Sequence, residues 1–344
     1  MRGVVVHAPK DLRIDEIADV TPGPHEVRVR IAAGGICGSD LHYFNHGGTG
    51  IIRLQQPMVL GHEIAGVVSD LGDAVSGLAV GARVAINPSR PCDTCEACRA
   101  GLRNHCSDMR FMGSAMRFPH VQGGFREFVT VDESQVFPVG DLVSLGEATM
   151  AEPLAVCLHA VGRAGPLAGN RILVTGCGPI GILTIMAARR AGAGEIVATD
   201  IHVGALSLAQ RCGATHTLDV SSGSKRLRDF TESTGRFDVH FEASGSASVL
   251  RDGLDCLRPR GILVQMGMGG DVQLPITLLV TREIDLRGTF RFDKEFGLAA
   301  RLIANREIDV RPLQTASFPM ERAREAFDLA NDKSKSTKVL ISFD

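Results

Sequence analysis

The sequence predicts an α/β protein of two domains, one rich in β-strands and carrying a metal-held lobe, the other a doubly wound parallel sheet. Three observations predict it. Cys92, Cys95, Cys98 and Cys106 are spaced C-x2-C-x2-C-x7-C. Up to about Gly146, apolar residues run or alternate in short stretches separated by Gly and Pro. From Arg171 onward, apolar strands alternate with helical segments, and the first of them leads straight into Gly176-Cys177-Gly178-Pro179-Ile180-Gly181.

The elements follow in order. VVVHA (4–8) and VRVRIAAGGI (27–36) read as strands, with Pro22, Gly23 and Pro24 between them. EIAGVVSDLG (63–72) and GARVAINP (81–88) continue the pattern, and the cysteine lobe is an excursion from it. Glu147 to Ala164 reads as one helix with Pro153 early in its course. RILVT (171–175), EIVATD (195–200), THTLD (215–219), FDVHFE (237–242) and GILVQMG (261–267) are strands of the second domain, with helices over Ile180–Ala191 and before Gly213. After LRGTF (286–290) come a helix, Lys294 to Asn305, and a last strand, KVLISF (338–343), expected to return to the first domain.

Bulk properties bound the function. A chain of 344 residues has room for two ordinary cores, and 44 % apolar with 22 % charged residues is a normal globular balance. The formal net charge is −2 and no Lys/Arg block stands out, which argues against a nucleic-acid or anionic-membrane partner. MRGVVVHAPKDLRID does not read as a signal peptide, and the longest uncharged stretch, Ile172–Ala188, is interrupted by glycines and too short to span a bilayer. A reducing cytoplasm is the expected compartment. Nine cysteines, an odd number, also argue against a disulfide framework. The four clustered thiols are therefore read as ligands of a closed, tetrahedral, structural zinc.

The glycine motif gains its meaning from its place between a strand and a helix. Gly176 makes the tight turn, Gly178 lets the backbone approach a pyrophosphate, and Gly181 lets helix and strand pack closely. Pro179 and Ile180 open the helix, whose N-terminus favours phosphate. Asp200 ends the next strand, where a carboxylate binds ribose hydroxyls and repels a 2′-phosphate. No Arg or Lys lies between Ile201 and Gln210, so NAD is expected over NADP.

Two further segments, GGICGSDLHY (34–43) and GHEIAG (61–66), offer sulfur, nitrogen and oxygen donors in Cys37, His62 and Glu63, a set suited to zinc. With CGSDLHY, GHEIAG, the cysteine lobe, AEPLAVCLHA and GCGPIG in this order, the chain resembles the zinc-dependent medium-chain dehydrogenase/reductases over essentially its whole length. CGSD-x-HY and EPL resemble the polyol branch, which includes the sorbitol dehydrogenases. The resemblance implies a GroES-like catalytic domain (1–147 and 292–344, zinc lobe 88–110) and an NAD-binding Rossmann domain (148–291).

It also implies roles. Cys37 and His62 are catalytic zinc ligands, and Glu63 or Glu152 completes the site, the choice being open. Asp40 orients His62 through its other ring nitrogen. Ser39 and His42 pass the alcohol proton towards solvent. The alkoxide then yields hydride to the nicotinamide in the cleft between domains.

For the substrate, GTFRF (288–292) keeps the Arg of an Arg-Tyr pair typical of sorbitol dehydrogenases but has Phe292 in place of the Tyr. Tyr43, the only tyrosine, lies beside the expected zinc. INPSRPC (86–92), DMRFMGSAMRFPHVQGGF (108–125), QMGMGG (265–270) and LRGTFRF (286–292) resemble the members of that branch that oxidise the sugar acid L-idonate to 5-keto-D-gluconate. A substrate carboxylate calls for a cation. Arg291 is the first candidate, and Arg110, Arg117 and His120 are weaker ones. The alternatives are a sorbitol, xylitol or L-iditol dehydrogenase, a zinc-stabilised binding protein without catalysis, and a relative that has lost its catalytic metal. The family implies a homodimer or homotetramer.

Overall fold

Strand β1 (Arg2–Ala8) pairs antiparallel with β2 (Asp11–Glu16), and the long β3 (Glu26–Gly35) follows the Pro/Gly turn. The structure, a computed structural model, describes residues 1–223, 227, 229–231 and 235–343. Helix α1 (Gly38–His46) starts directly after Cys37 and ends at Gly47, which takes the left-handed conformation at φ 66°. Next come β4 (Glu63–Leu71), β5 (Arg83–Ile86), β6 (Phe128–Asp132) and β7 (Val136–Pro138). The expected strands of this region are all present; α1 is an element that the sequence reading did not assign.

The helix expected over Glu147–Ala164 is two. A short helix, Leu145–Ala148, is capped by Ser144 and Glu147 in a capping box, and α2 (Ala151–Ala164) begins separately. Pro153 explains the break. It has no N–H to donate, so it is tolerated only in a first turn, and it is the third residue of α2.

The second unit, Pro153–Glu295, holds β8 (Arg171–Thr175), α3 (Pro179–Arg190), β9 (Glu195–Asp200), α4 (Val203–Arg211), β10 (His216–Asp219), β11 (Phe237–Glu242), α5 (Ala247–Asp255), β12 (Leu257–Gln265), α6 (Ile276–Thr281) and β13 (Asp285–Gly288). Its sheet runs β10-β9-β8-β11-β12-β13 with every pair parallel. Buried on both faces, β8 shows four consecutive buried residues instead of alternation. Leu173, Val197, Phe237, Leu254, Leu257 and Leu263 form one core cluster of this unit.

Helix α7 (Glu295–Ala304), β14 (Gln314–Pro319), α8 (Ala323–Asn331) and β15 (Lys338–Ser342) complete the first unit, Met1–Glu152 with Phe296–Asp344. Strand β15 pairs antiparallel with β3 and gives a seven-stranded sheet, β7-β5-β4-β3-β15-β14 with β6 also on β3. The return of KVLISF is thus observed. Val27, Val29, Ile31, Phe44, Ile64, Phe125, Phe327 and Ile341 fill the core beside this sheet. Both changes of unit fall a few residues later in the chain than the expected 147/148 and 291/292. Among the described residues, no helix is long and apolar enough to cross a membrane.

Candidate metal centre and cofactor loop

Strand register gathers the candidate ligands. Gly35, the last residue of β3, pairs with Glu63 at the start of β4 and with Leu340 of β15. Cys37, His62 and Glu63 therefore converge, with one ligand atom from each lying within 4.8 Å of the others. Gly61 permits the turn into His62. Its φ is 93°, and a Cβ there would collide with the ring of the fully buried Phe125.

Asp40, fully buried in α1, ties the two ligand loops together. One carboxylate oxygen accepts the Cys37 N–H and the other accepts the Gly61 N–H, each at 3.0 Å. The second oxygen lies 3.7 Å from Nδ1 of His62, a buried atom with no hydrogen-bond partner. This places a carboxylate beside the imidazole, beyond hydrogen-bond distance.

Lys338 is the residue that sequence reasoning missed. It opens β15, is 2 % exposed, and donates to both Glu63 oxygens at 2.7 and 2.6 Å and to the Ile36 carbonyl at 3.1 Å. All three ammonium donors are occupied. Burial alone would lower its pKa, but the Glu63 and Cys37 charges outweigh that and raise it. Glu152 is also buried, at 6 % exposure. Burial pushes Glu152 up to about 8, partly offset by His62, and burial with the Glu63 charge pushes the Cys37 thiol up to about 11.

These observations test the fit of a metal. Cys37, Glu63 and Glu152 surround the buried ammonium of Lys338, and burial penalises Cys37, Asp40 and Glu152 as anions. A divalent cation removes that penalty. The sulfur, nitrogen and oxygen donors match zinc. The residues present therefore fit a zinc ion.

The surrounding residues fall into two groups. Ser39 is half-buried and His42 exposed, and burial with the neighbouring His46 and Lys333 lowers the His42 pKa. Tyr43 is 2 % exposed, and its hydroxyl accepts the Ala115 N–H at 3.0 Å. It packs in the core and braces the 115 loop. His120 is buried, with Nε2 accepting from the Gln55 N–H at 2.9 Å and Nδ1 bonded to the Arg117 carbonyl, which leaves neither ring nitrogen for a substrate carboxylate. Arg117 pairs with Asp108, and Arg110 is exposed. Arg291 belongs to the second unit and has φ 51°, a conformation uncommon outside glycine. Phe292 is buried there.

The four sulfurs of Cys92, Cys95, Cys98 and Cys106 also lie within 4.8 Å of one another. Cys92 and Cys106 are 3.4 Å apart, well beyond a disulfide bond of about 2.05 Å, and all nine cysteines are free. Backbone N–H groups of Cys92, Cys95 and Asp108 point at sulfur at 3.2–3.3 Å. Antiparallel pairing of Arg110 with Arg90 and of Phe111 with Ser89 closes the base of the lobe. The donor set fits a tetrahedral zinc with no position left for substrate.

In the second unit the glycine motif has the expected geometry. Gly176 has φ 86°, and a Cβ there would lie 2.8 Å from the Ser244 nitrogen. A Cβ on Gly181 would collide with the Gly176 carbonyl oxygen, whereas one on Gly178 meets nothing within 4 Å. The tight turn and the close packing are thus visible, and Gly178 leaves open space at the start of α3. Asp200 accepts the Cys177 N–H at 2.7 Å and the His202 N–H at 2.9 Å, so it also braces the loop.

Comparison with known proteins agrees with the two-unit fold. Residues 23–141 match the alcohol dehydrogenase GroES-like domain, and residues 179–305 match the zinc-binding dehydrogenase family. The chain is 43 % identical over 316 residues to L-idonate 5-dehydrogenase (NAD(P)(+)) of Escherichia coli strain K12, covering 92 % of this chain and 91 % of that one. It is 36 % identical over 347 residues to sorbitol dehydrogenase of Bos taurus, covering 99 % and 96 %. The crystal structure of the L-idonate 5-dehydrogenase from E. coli K-12 MG1655 superposes with a TM-score of 0.95 at 41 % identity, covering 99 % and 98 % of the two chains.

Proposed function

The chain belongs to the zinc-dependent medium-chain dehydrogenase/reductase family, and we propose that it oxidises L-idonate reversibly to 5-keto-D-gluconate with NAD. The single observation that carries the substrate is the 43 % identity over nearly the whole chain to an L-idonate 5-dehydrogenase, above the 36 % to a sorbitol dehydrogenase. A neutral polyol such as sorbitol or xylitol is the second reading, supported by the sorbitol dehydrogenase likeness.

Cys37 and His62 would hold the catalytic zinc, with Glu152 as the carboxylate ligand. Glu63 is less available because Lys338 binds both its oxygens. Zinc there supplies Lewis acidity that makes a bound secondary alcohol acidic, and NAD supplies the hydride acceptor. Asp40 holds His62 in orientation. Ser39 takes the alcohol proton, and His42, exposed and with a lowered pKa, passes it on as a free base at neutral pH. Cys92, Cys95, Cys98 and Cys106 would hold a second, structural zinc.

Gly176, Gly178, Pro179, Ile180 and Gly181 would bind the pyrophosphate at the start of α3. Asp200 favours NAD over NADP, since a 2′-phosphate would meet its carboxylate and no Lys or Arg follows within ten residues. Free thiols throughout support a reducing cytoplasm. The edge strand β13, with exposed Leu286 and the exposed Ile276 and Val280 of α6, supports a homodimer or homotetramer.

Arg291 is the proposed partner of the substrate carboxylate. Its left-handed backbone carries strain on the order of 1–2 kcal/mol, of the kind that persists at binding sites. Arg291→Leu is expected to raise KM for L-idonate by about tenfold or more and to change KM for sorbitol far less. Steady-state kinetics on both substrates measures this, and equal effects would remove the carboxylate contact.

A further inference from the structure

We propose that Glu242, with Gln265, is a positioning residue that holds two loops in place for the nicotinamide half of the dinucleotide. The proposal rests on the dinucleotide reading of the second unit. The sheet order β10-β9-β8-β11-β12-β13 reverses direction between β8 and β11. In such a sheet each half serves one mononucleotide, outside the carboxyl ends of the strands. The half built from β8, β9 and β10 carries the glycine motif and Asp200. The loops after β11 and β12 therefore serve the other mononucleotide, the one bearing the nicotinamide.

Glu242 is the last residue of β11 and is 0 % exposed. It has no ion-pair partner among the described residues. A buried carboxylate without a counter-ion is costly unless donors surround it, and here they do. One oxygen accepts from the Ser244 N–H at 2.8 Å, from the Ser244 hydroxyl, and from the Gly245 N–H at 3.1 Å. The other accepts from the same Gly245 N–H at 3.1 Å and from Nε2 of Gln265 at 2.7 Å.

Every donor comes from the two loops or from the strand end beside them. Glu242 and Gln265 are direct cross-strand partners at the ends of β11 and β12. The second amide proton of Gln265 goes to the Gly267 carbonyl at 2.7 Å, and the Glu242 carbonyl accepts the Met266 and Gly267 N–H groups at 2.9 Å. The Gln265 Oε1 is buried without a partner, so the amide serves here as a donor. The loops pack so closely that a Cβ on Gly269 would collide with the Gly245 carbonyl oxygen. The contact extends to the glycine motif, because Ser244 is the residue that a Cβ on Gly176 would strike, and the Ala243 N–H bonds the Thr175 carbonyl at 2.9 Å.

Glu242→Gln tests this, since it removes the charge and points an amide donor at the Gln265 amide or the Gly245 N–H. Titration calorimetry on the zinc-loaded full chain should compare NADH with ADP, which has the adenosine diphosphate but no nicotinamide. The variant is expected to lose about tenfold or more in NADH affinity while ADP affinity stays within about twofold. KM for NAD should rise and zinc content should not change. Gln265→Met makes the same test if Glu242→Gln does not fold, with a smaller NADH loss and the same unchanged ADP. The exchanged pair Glu242→Gln with Gln265→Glu should recover part of the NADH affinity. Equal losses for NADH and ADP, or no loss for either, would overturn the proposal. A wild-type chain that binds neither molecule would overturn the dinucleotide reading and the clamp with it.

Discussion

Cys37→Ala and His62→Ala are each expected to lower kcat/KM for alcohol oxidation by on the order of 10³-fold or more, roughly 4 kcal/mol of transition-state stabilisation. The reason is convergence. Cys37 and His62 come from separate loops, and their sulfur and imidazole lie within 4.8 Å of each other and of Glu63, with the buried Glu152 charge-coupled to all three. Removing either leaves Glu152 and the remaining donor to hold the ion. Zinc content should fall from about two ions per chain towards about one, because the cysteine lobe shares no ligand with this site. NADH binding should survive, since the glycine motif and Asp200 lie in the other unit. Metal analysis, titration with NADH and steady-state rates on the same preparations measure all three. Retained activity in both variants would refute the assignment.

Lys338→Met is expected to lower the stability of the first unit by about 3–5 kcal/mol, because it leaves the Glu63 charge buried without a partner. At this unit's size that corresponds to a fall in its Tm of roughly 10 °C. The geometry supports a large value: both side chains are almost completely buried, and the ammonium reaches both oxygens of Glu63 as well as the Ile36 carbonyl. The double variant Lys338→Met with Glu63→Gln removes both charges and should be destabilised by less than the single one, a non-additivity expected of groups in direct contact. Chemical denaturation at fixed zinc measures it. A loss below about 1 kcal/mol for the single variant would mean that the pair is solvated, against its observed burial.

The contrast between Cys37 and Lys338 shows how much of the molecule was legible. Cys37, His62 and Glu63 lie in short glycine-bearing segments whose donor types suggest a metal, and the lobe from Cys92 to Cys106 is defined by local spacing alone. Strands β8 and β9 were legible because buried parallel strands read as continuous apolar runs. Lys338 stands in a polar stretch, KSKSTKVL, with nothing local to mark it. It reaches Glu63 only because β15 returns to pair with β3, a contact 275 residues away along the chain. His120 misled for a related reason. Its side-chain chemistry suits a substrate, but the bonds to Gln55 and Arg117 that occupy it arise from loop packing. Helix α1 was missed because only Leu41, Tyr43 and Phe44 supply an apolar stripe over its nine residues.

The central claim, a zinc- and NAD-dependent sugar-acid dehydrogenase, is tested most directly by following NADH absorbance with the purified chain on L-idonate, D-gluconate, sorbitol and xylitol. The account predicts NADH formation with the highest kcat/KM on L-idonate, loss of the rate when a chelator removes the catalytic zinc, and its return when zinc is restored. Preference for sorbitol or xylitol would contradict the sugar-acid assignment, and an undiminished rate in the metal-free chain would contradict the zinc mechanism.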